Sequence, residues 1–209
     1  MVFSFLSKPS HYDSLWNAYQ HHTQEKILEE VAEHIQKVTL DKNETLSILD
    51  VSCGTGTLLQ KLEEIGEVDL YGIDTSQNML DIAKRKTSAT LQKEDAQDLH
   101  YDNNTFHIII SSSAYHLYKD KQRFITEAER CLKQKGLLII LDWDASGPHK
   151  YVYKLMNTFV DETIYTESSK EAKERFKQIR TDDIDVQTWF WWTWKFFLIT
   201  AQKDEFSTS

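Results

Sequence analysis

ILDVSCGTG, residues 48–56, is the stretch that decides the fold. The apolar run at 46–51 is too short for a helical pattern and predicts a buried strand, whereas the leucines that follow have helical spacing. Gly54 and Gly56 remove two side chains where the chain must turn sharply and where a ligand must approach the backbone. In an open parallel sheet, ligands bind at the carboxyl ends of the strands. The end of this strand is therefore the expected ligand-binding edge.

Strand and helix alternate through the following residues. Further strands are predicted at 68–73, 89–93, 105–112 and 137–143. Helices are predicted at 23–38, 58–65, 76–86, 120–133 and, less regularly, over 149–180. This alternation predicts a parallel sheet with right-handed crossovers. Residues 184–203 are aromatic and β-branched, which predicts two adjacent strands whose turn the sequence does not locate.

Length and charge limit the possible functions. The 209 residues are enough for one domain, and 33 acidic against 24 basic side chains give a net charge of −9. A protein with this net negative charge repels the phosphate backbone of nucleic acids, so we expect no nucleic-acid partner.

The cysteines and the apolar runs exclude further classes of protein. Cys53 and Cys131 fit neither a disulfide framework nor a zinc site. No apolar run approaches the ~20 residues of a membrane span. We expect a cytoplasmic protein with no metal site and no integral membrane contact, and leave the oligomeric state open.

Asp74 ends the second predicted strand. A carboxylate at this place can accept hydrogen bonds from both hydroxyls of a ribose, which is typical of adenosine-containing cofactors. Two glycines and a downstream acid do not distinguish NAD from other nucleosides. The dehydrogenase fingerprint, however, expects a third glycine where this chain has Leu59.

Several ordered motifs resemble those of the class I S-adenosylmethionine-dependent methyltransferases, in particular the small-molecule ubiquinone/menaquinone-type (methyltransferase type 11) subgroup. They lie within 45–143 and read ILDVSCGTGTL, GIDTSQNML, EDAQDL, FHIIISSSAYHLYKD and LKQKGLLII, with a fainter match in FFLITAQK. The resemblance implies an α/β fold: a doubly wound, mostly parallel seven-stranded sheet, Rossmann-like, with an antiparallel C-terminal strand. It also implies one methyltransferase domain over 1–209, with a helical cap (1–40), a cofactor-binding core (45–143), acceptor-site helices (144–183) and a C-terminal hairpin (184–203).

The resemblance implies S-adenosyl-L-methionine as the cofactor. Asp74 would hold the ribose, Met79 would lie near the adenine, and Asp95 and the backbone N–H of Ala96 would bind the adenine. The other implied contacts lie in the glycine loop and at strand ends: Asp50, Ser52, Cys53, Gly54, Gly56, Thr75 and Ser112. Asp50 either braces the loop or contacts the methionine end. Ser52 departs from the family, because it stands where the first glycine of the motif is expected.

The chemistry follows from the cofactor, whose sulfonium carries an electrophilic methyl group and its own leaving group. The enzyme has to align a nucleophile and exclude water, and a base is needed only if the nucleophile arrives protonated. The candidate catalytic residues follow the fourth and fifth strands: His116, Tyr115, Asp142 and Asp144. His116 is the first choice because imidazole ordinarily titrates near neutral pH, although a packed, backbone-bonded histidine is the alternative.

The expected activity is methyl transfer to a small organic acceptor. The chain lacks an Asn-Pro-Pro-Tyr motif, a paired-glutamate loop and a carboxylate cluster, which disfavours adenine or glutamine, arginine and catechol-type acceptors. An NAD(P)-dependent reductase is an alternative, and Tyr115 and Lys119 have its Tyr-x-x-x-Lys spacing, but they fall too early in the fold. A non-catalytic S-adenosylmethionine-binding regulatory protein is the other alternative.

Aromatic residues mark two further segments. Tyr12, Trp16 and Tyr19 have helical spacing, which favours core packing, with a lid over the methyl group as the alternative. The run TWFWWTWKFF at 188–197 places rings on both faces of a strand. Burial between the sheet and a helix is the simpler interpretation, and contact with a membrane surface or a second subunit is the other.

Overall fold

The computed structural model describes residues 9–38, 44–156, 163–191 and 194–205. The strands in these ranges are β1 Leu46–Val51, β2 Val68–Asp74, β3 Thr90–Lys93, β4 Phe106–Ser112, β5 Leu132–Trp143, β6 Thr181–Trp191 and β7 Trp194–Lys203. The α-helices are α1 Pro9–Lys37, α2 Thr57–Leu62, α3 Gln77–Ala83, α4 Lys121–Cys131, α5 His149–Met156 and α6 Ser169–Phe176. None of the helices in this part of the chain is long and apolar enough to cross a membrane.

The seven strands form one sheet in the order β3-β2-β1-β4-β5-β7-β6. The pairs from β3 through to β5 are parallel, whereas β7 is antiparallel to both of its neighbours. The predicted mostly parallel sheet with an antiparallel strand near its end is thereby confirmed. The chain runs from β1 outward to β3 and then crosses to β4 on the other side of β1. The strand order therefore reverses between β1 and β4, where open α/β sheets bind their ligands.

Helices cover both faces of the sheet. Alternate residues of each central strand point to opposite faces, so that β1 and β4, which are apolar on both faces, are buried between two layers. One face packs against α4 and α6, and its buried side chains include Leu49, Val51, Ile109, Phe124 and Phe176. The other packs against α1 and α2, and its buried side chains include Ile48, Ile108, Ile27, Val31 and Leu59.

The elements after β4 depart most from their predicted bounds. The helix expected over 149–180 is two helices, because Ser168 and Glu171 form a capping box that starts α6. β5 begins at residue 132 instead of 137, and β6 at 181 instead of 184. The turn that the sequence did not locate falls between Trp191 and Trp194, and its two residues lie outside the described ranges.

The first helix is longer than the predicted 23–38 and begins at residue 9. Its buried Ile27 and Val31 hold it against the sheet. The side chains of Tyr12 and Trp16 lie outside the described part, so only Tyr19 of the aromatic trio can be placed. Tyr19 is 7% exposed and packs against Trp191 and Phe196 of the hairpin, as a core residue would.

Candidate active site

The loop after β1 makes a sharp turn at the switch point of the sheet. Ser52, Gly54 and Gly56 have φ angles of 60°, 55° and 76°, in the left-handed region that favours glycine. At Gly56 space is also limited, because a Cβ atom would lie 2.9 Å from the Cβ atom of Ala83. The loop thus brings its own backbone close to α3 and to the end of β2.

Asp74, at the end of β2, braces this loop. Its Oδ2 accepts a hydrogen bond from the backbone N–H of Gly54 at 2.9 Å, and its Oδ1 accepts one from Ser76 at 2.8 Å. Each oxygen of an ionised carboxylate can accept a further bond. The carboxylate is therefore fixed in position while it retains the capacity to bind two hydroxyl groups.

Asp50 lies near the end of β1 and is 2% exposed. No side chain or backbone group in the described part of the chain donates a hydrogen bond to its carboxylate. Burial, together with the nearby charge of Asp74, raises the pKa of Asp50 well above its ordinary value. A buried carboxylate without donors is costly unless a positively charged group meets it. Asp50 is thus suited to a cationic ligand.

Asp50 lines a cavity of about 50 Å³ between the loop and α1. The sheet side is formed by the end of β1, the loop after it, the start of α2 and the end of β4: Asp50, Ser52, Cys53, Gly54, Thr55, Thr57, Leu58, Ser112 and Ser113. The α1 side is formed by Tyr19, Gln20, Thr23 and Gln24. The cavity is therefore small in this structure, and α1 forms the wall that faces the glycine loop.

Two hydrogen bonds hold α1 over this cavity. The hydroxyl of Tyr19 donates to Oγ of Ser113 at 2.7 Å. Nε1–H of Trp189, on β6, donates to Nε2 of His22 at 3.0 Å, and the imidazole of His22 stacks on Trp191 at 5.9 Å between ring centroids. Trp189 and Trp191 of the hairpin therefore pack against α1, as the simpler interpretation of this segment expects.

The remaining predicted cofactor contacts follow β2 and β3 at the same edge of the sheet. Thr75 precedes Ser76, whose Oγ accepts from the backbone N–H of Met79 and caps α3. Asp95 is exposed and accepts two hydrogen bonds from Gln97, at 2.9 and 3.0 Å, while Ala96 is buried. None of Thr75, Met79, Asp95 or Ala96 lines the cavity under α1.

His116 and Asp142 form a buried pair. Nδ1 of His116 lies 2.8 Å from Oδ1 of Asp142, and the backbone N–H of His116 donates to Oδ2 at 2.8 Å. The imidazole also stacks on Trp143 at 4.4 Å between ring centroids. A carboxylate at Nδ1 makes that nitrogen the N–H donor and leaves Nε2 as an acceptor. His116 itself does not line the cavity, but it follows Ser113, which does.

Tyr115, another predicted catalytic residue, lies in the core. Its ring is 1% exposed and packs edge-on against Phe124 and Phe197, and its hydroxyl donates to Oε1 of Glu167 at 2.8 Å. Burial and the carboxylate of Glu167 raise the pKa of Tyr115 above its ordinary value. Residue 115 points into the core while its neighbour at 116 points to Asp142, and the catalytic role of Tyr115 stays a prediction.

Two other candidates also have structural contacts. Asp144 forms an ion pair with Lys195 at 3.0 Å and accepts a hydrogen bond from Oγ of Ser169, so it ties α6 to β7. Burial, followed by the charges of Asp50 and Asp74, raises the pKa of the Cys53 thiol, which keeps the thiol protonated. In the ranges that the structure describes, no group of three His, Cys, Asp or Glu side chains is placed to hold a metal ion.

Sequence reasoning missed Tyr118, which explains the serine at the first glycine position. Oγ of Ser52 lies 3.1 Å from the hydroxyl of Tyr118, which in turn lies 3.0 Å from Oγ of Ser111. This bond compensates for the unfavourable φ angle of Ser52. No local pattern could have revealed it, because the two residues are 66 positions apart.

An aromatic wall adjoins the His116–Asp142 pair. Trp143 stacks on Tyr153 at 5.5 Å and on Trp194 at 5.8 Å between ring centroids. Tyr153 is fully buried, and its hydroxyl has no hydrogen-bond partner among the described residues. Tyr151, by contrast, is 66% exposed. Of the two tyrosines of α5, only Tyr153 therefore lies beside the candidate catalytic pair.

Solved structures share this fold. The YcgJ protein from Bacillus subtilis aligns with a TM-score of 0.70 and 18% identity, over 88% of this chain and 99% of that one. Phosphoethanolamine N-methyltransferase 2 from Haemonchus contortus, solved in complex with S-adenosyl-L-methionine, aligns with a TM-score of 0.66 and 16% identity, over 84% and 52% of the two chains. The sheet with its switch-point loop is thus the Rossmann-like fold of methyltransferases.

Residues 49–140 match the family model of a methyltransferase domain. The demethylmenaquinone methyltransferase of Thermotoga maritima is 28% identical over 115 residues, which cover 54% of this chain and 50% of that protein. The predicted resemblance to S-adenosylmethionine-dependent methyltransferases of the ubiquinone/menaquinone type is confirmed, and residues 49–140 are the part of the chain that is similar to a methyltransferase domain. The chain spans about half the length of the curated relatives it matches.

Proposed function

We propose that this chain binds S-adenosyl-L-methionine and transfers its methyl group to a small-molecule acceptor. The observation that carries the proposal is the buried carboxylate of Asp50, without donors in the described part of the chain, beside the fixed carboxylate of Asp74. S-adenosylmethionine has a ribose diol and a positively charged amino-acid end. Asp74 has the acceptor capacity for the diol, and Asp50 has the charge for the ammonium group. Neither the reductase nor the regulatory alternative is favoured by the methyltransferase domain at 49–140.

The other predicted contacts complete the proposed cofactor site. Ser52, Cys53, Gly54 and Ser112 border the cavity, and Gly56 shapes the turn that admits the cofactor. Thr75, Met79, Asp95 and Ala96, at the ends of β2 and β3, form the proposed adenine side. A structural neighbour solved with S-adenosyl-L-methionine supports this choice of cofactor. We assign α1 to the cap, and α5 and α6 to the acceptor side.

When bound, the cofactor supplies a methyl group on a positively charged sulfur atom. The chain then has to hold the acceptor in line and keep water out, which α1 does by covering the cavity. Asp142 holds the proton of His116 on Nδ1, so that Nε2 is free to accept a proton from the acceptor's hydroxyl or acidic carbon. In this proposal His116 is the catalytic base, and Asp142 is a positioning residue that acts through it.

The proposed acceptor is an aromatic small molecule of the hydroquinone type. A curated relative is named for demethylmenaquinone, and Trp143 and Tyr153 offer stacked rings beside His116. The unpaired hydroxyl of Tyr153 suits a polar substituent on such a ring. The net charge of −9 argues against a nucleic-acid acceptor. The two free, buried cysteines fit a reducing cytoplasm, which we include in the proposal.

Titration calorimetry tests the cofactor. S-adenosylmethionine and S-adenosylhomocysteine are expected to bind, and NADH is not. Asp74→Ala is expected to weaken binding about 100-fold, because it leaves two ribose hydroxyls unpaired and removes the brace of the loop. Asp81→Asn, an exposed carboxylate on α3, is the matched control and should leave the affinity unchanged. Binding of NADH without binding of the sulfonium would favour the reductase instead.

A screen of hydroquinones with methyl-labelled cofactor tests the reaction. Asp142→Asn should slow methyl transfer about 100-fold and shift its pH profile, because the imidazole loses the partner that fixes its tautomer. Its cofactor affinity should remain that of the wild type. A chain that binds the cofactor but labels no acceptor in the screen would instead support the regulatory alternative.

A further inference from the structure

Gln24 lies on α1, in the wall of the cavity that faces the glycine loop. Its side chain is 5% exposed, and Oε1 has no hydrogen-bond partner in the described part of the chain. A buried amide oxygen without a donor costs free energy that a ligand can recover. Gln24 lies outside the 49–140 domain match, and no motif in the sequence distinguishes it.

The two other buried polar side chains of this wall, those of Tyr19 and Thr23, have hydrogen-bond partners. Tyr19 donates to Ser113, and Oγ1 of Thr23 donates to the backbone carbonyl of Tyr19, one turn earlier on α1. Gln24 therefore differs from them, since its amide oxygen is not used to hold the helix in place. Across the same cavity, Asp50 is the other buried polar side chain without a donor among the described residues.

The side chains of Asp50 and Gln24 together have the donors and acceptors that the amino and carboxylate groups of an amino acid require. A carboxylate only accepts hydrogen bonds, whereas a primary amide both donates and accepts them. The amino-acid end of S-adenosylmethionine carries an ammonium group, which donates, and a carboxylate, which accepts. Asp50 alone can satisfy only the ammonium. A side chain that can accept from the ammonium and donate to the carboxylate is needed beside it, and Gln24 is such a side chain.

We propose that Gln24 binds the amino-acid end of the cofactor. Oε1 accepts from the ammonium group together with Asp50, and Nε2–H donates to the cofactor carboxylate. This inference rests on the proposed function, because it assumes that the cavity under α1 receives this cofactor. Since Gln24 belongs to α1, the contact also links this helix to recognition of the amino-acid end.

The test compares two ligands that differ only in this end. S-adenosylhomocysteine has the amino-acid group, and 5′-methylthioadenosine retains the adenosine and the thioether without it. Gln24→Met, which keeps the length of the side chain but removes its polar atoms, should raise the Kd of S-adenosylhomocysteine on the order of 10- to 100-fold. The Kd of 5′-methylthioadenosine should change less than about twofold. Gln36→Met, at an exposed position of the same helix, should leave both values unchanged.

The outcomes separate this inference from the function on which it rests. If the wild type binds neither ligand, the proposed function is wrong. If the wild type binds both and Gln24→Met leaves S-adenosylhomocysteine unaffected, the role of Gln24 is refuted and the function stands. Equal weakening of both ligands also refutes it, because it would reflect altered packing of α1. If Gln24→Met does not fold, Gln24→Asn, which retracts the amide by one methylene group, is expected to give the same ligand-dependent loss.

Discussion

Replacing Asp50 by asparagine should stabilise the protein without ligand and weaken its binding of the cofactor. Asp50 is buried and receives no hydrogen bond from the described part of the chain, so at neutral pH its carboxylate opposes folding. The substitution removes the charge and keeps the shape of the side chain. It also removes the attraction for the ammonium group of the cofactor. Stability and binding should thus change in opposite directions.

The size of the expected gain in stability follows from the burial of the Asp50 side chain. Asp50 is 2% exposed, so its side chain loses most of its contact with water on folding. An unsatisfied buried acceptor costs about 1–3 kcal/mol, and more when it is charged. For a chain of this length, each kcal/mol changes Tm by about 2–4 °C. Asparagine keeps an unpaired buried oxygen, so the substitution recovers only the additional cost of the charge; at about 1–3 kcal/mol this raises Tm by about 2–12 °C at pH 7.

The difference in stability between Asp50→Asn and the wild type should depend on pH in a defined direction. The pKa of Asp50 is raised in the folded state by burial and by Asp74, while in the unfolded chain it takes its ordinary value near ~3.9. The folded protein thus binds the proton more tightly, and the wild type loses stability as pH rises from the unfolded pKa towards the folded pKa. Below about pH 4 the carboxyl is neutral in both states, so the advantage of asparagine should disappear.

Thermal unfolding at several pH values, with and without S-adenosylhomocysteine, measures both effects. The ligand should raise Tm of the wild type more than that of Asp50→Asn. Asp69→Asn, an exposed carboxylate on β2, is the control and should shift Tm little. An Asp50→Asn variant that is less stable at pH 7, or whose advantage is the same at pH 4, would refute the description of Asp50 as an uncompensated buried charge.

Three further changes test other parts of the structure. Gly56→Ala should lower the free energy of unfolding by about 1–3 kcal/mol, since φ is 76° and the new Cβ would lie 2.9 Å from that of Ala83; an unchanged Tm would contradict this. S-adenosylhomocysteine should alter tryptophan fluorescence through movement of α1 at the Trp189–His22 hydrogen bond, and Trp189→Phe should reduce that change; an equal change in both proteins would exclude this report of α1 movement. Tyr115→Phe should cost about 1–2 kcal/mol of stability with little effect on methyl transfer, whereas a large fall in rate would support its catalytic role.

Much of the fold could be predicted because its first half follows local rules. β1 to β4 begin and end within about one residue of their predicted bounds, since each is a compact run of apolar or β-branched residues between polar segments. Ser76 and Asp120 cap helices where the sequence predicts their starts. Where the predicted bounds of a strand were wrong, pairing with a residue distant in the chain explains the difference. β5 starts at residue 132 because Leu132 pairs with Phe106, a contact that the residues KQKG do not signal.

The candidate site was only partly predictable. Asp50, Asp74 and the two glycines lie together because they end adjacent parallel strands, which the motif spacing already indicates. The contacts of α1 were not predictable, because Tyr19 and Gln24 reach the cavity only when the helix packs across the sheet. Tyr115 and His116 could not be separated either, since neighbouring residues of one short turn point to different surroundings.

The sequence by itself determined the order of strands and helices, the position of the ligand-binding edge and the resemblance to a methyltransferase, because these depend on periodicity and on residues close together in the chain. Only the tertiary structure decided which polar groups have partners. Ser52 shares a hydrogen bond with Tyr118, whereas the Oε1 atom of Gln24 has no partner among the described residues. Whether a buried polar atom is satisfied depends on residues dozens of positions away, and the satisfaction of such atoms distinguishes a structural residue from a candidate binding residue.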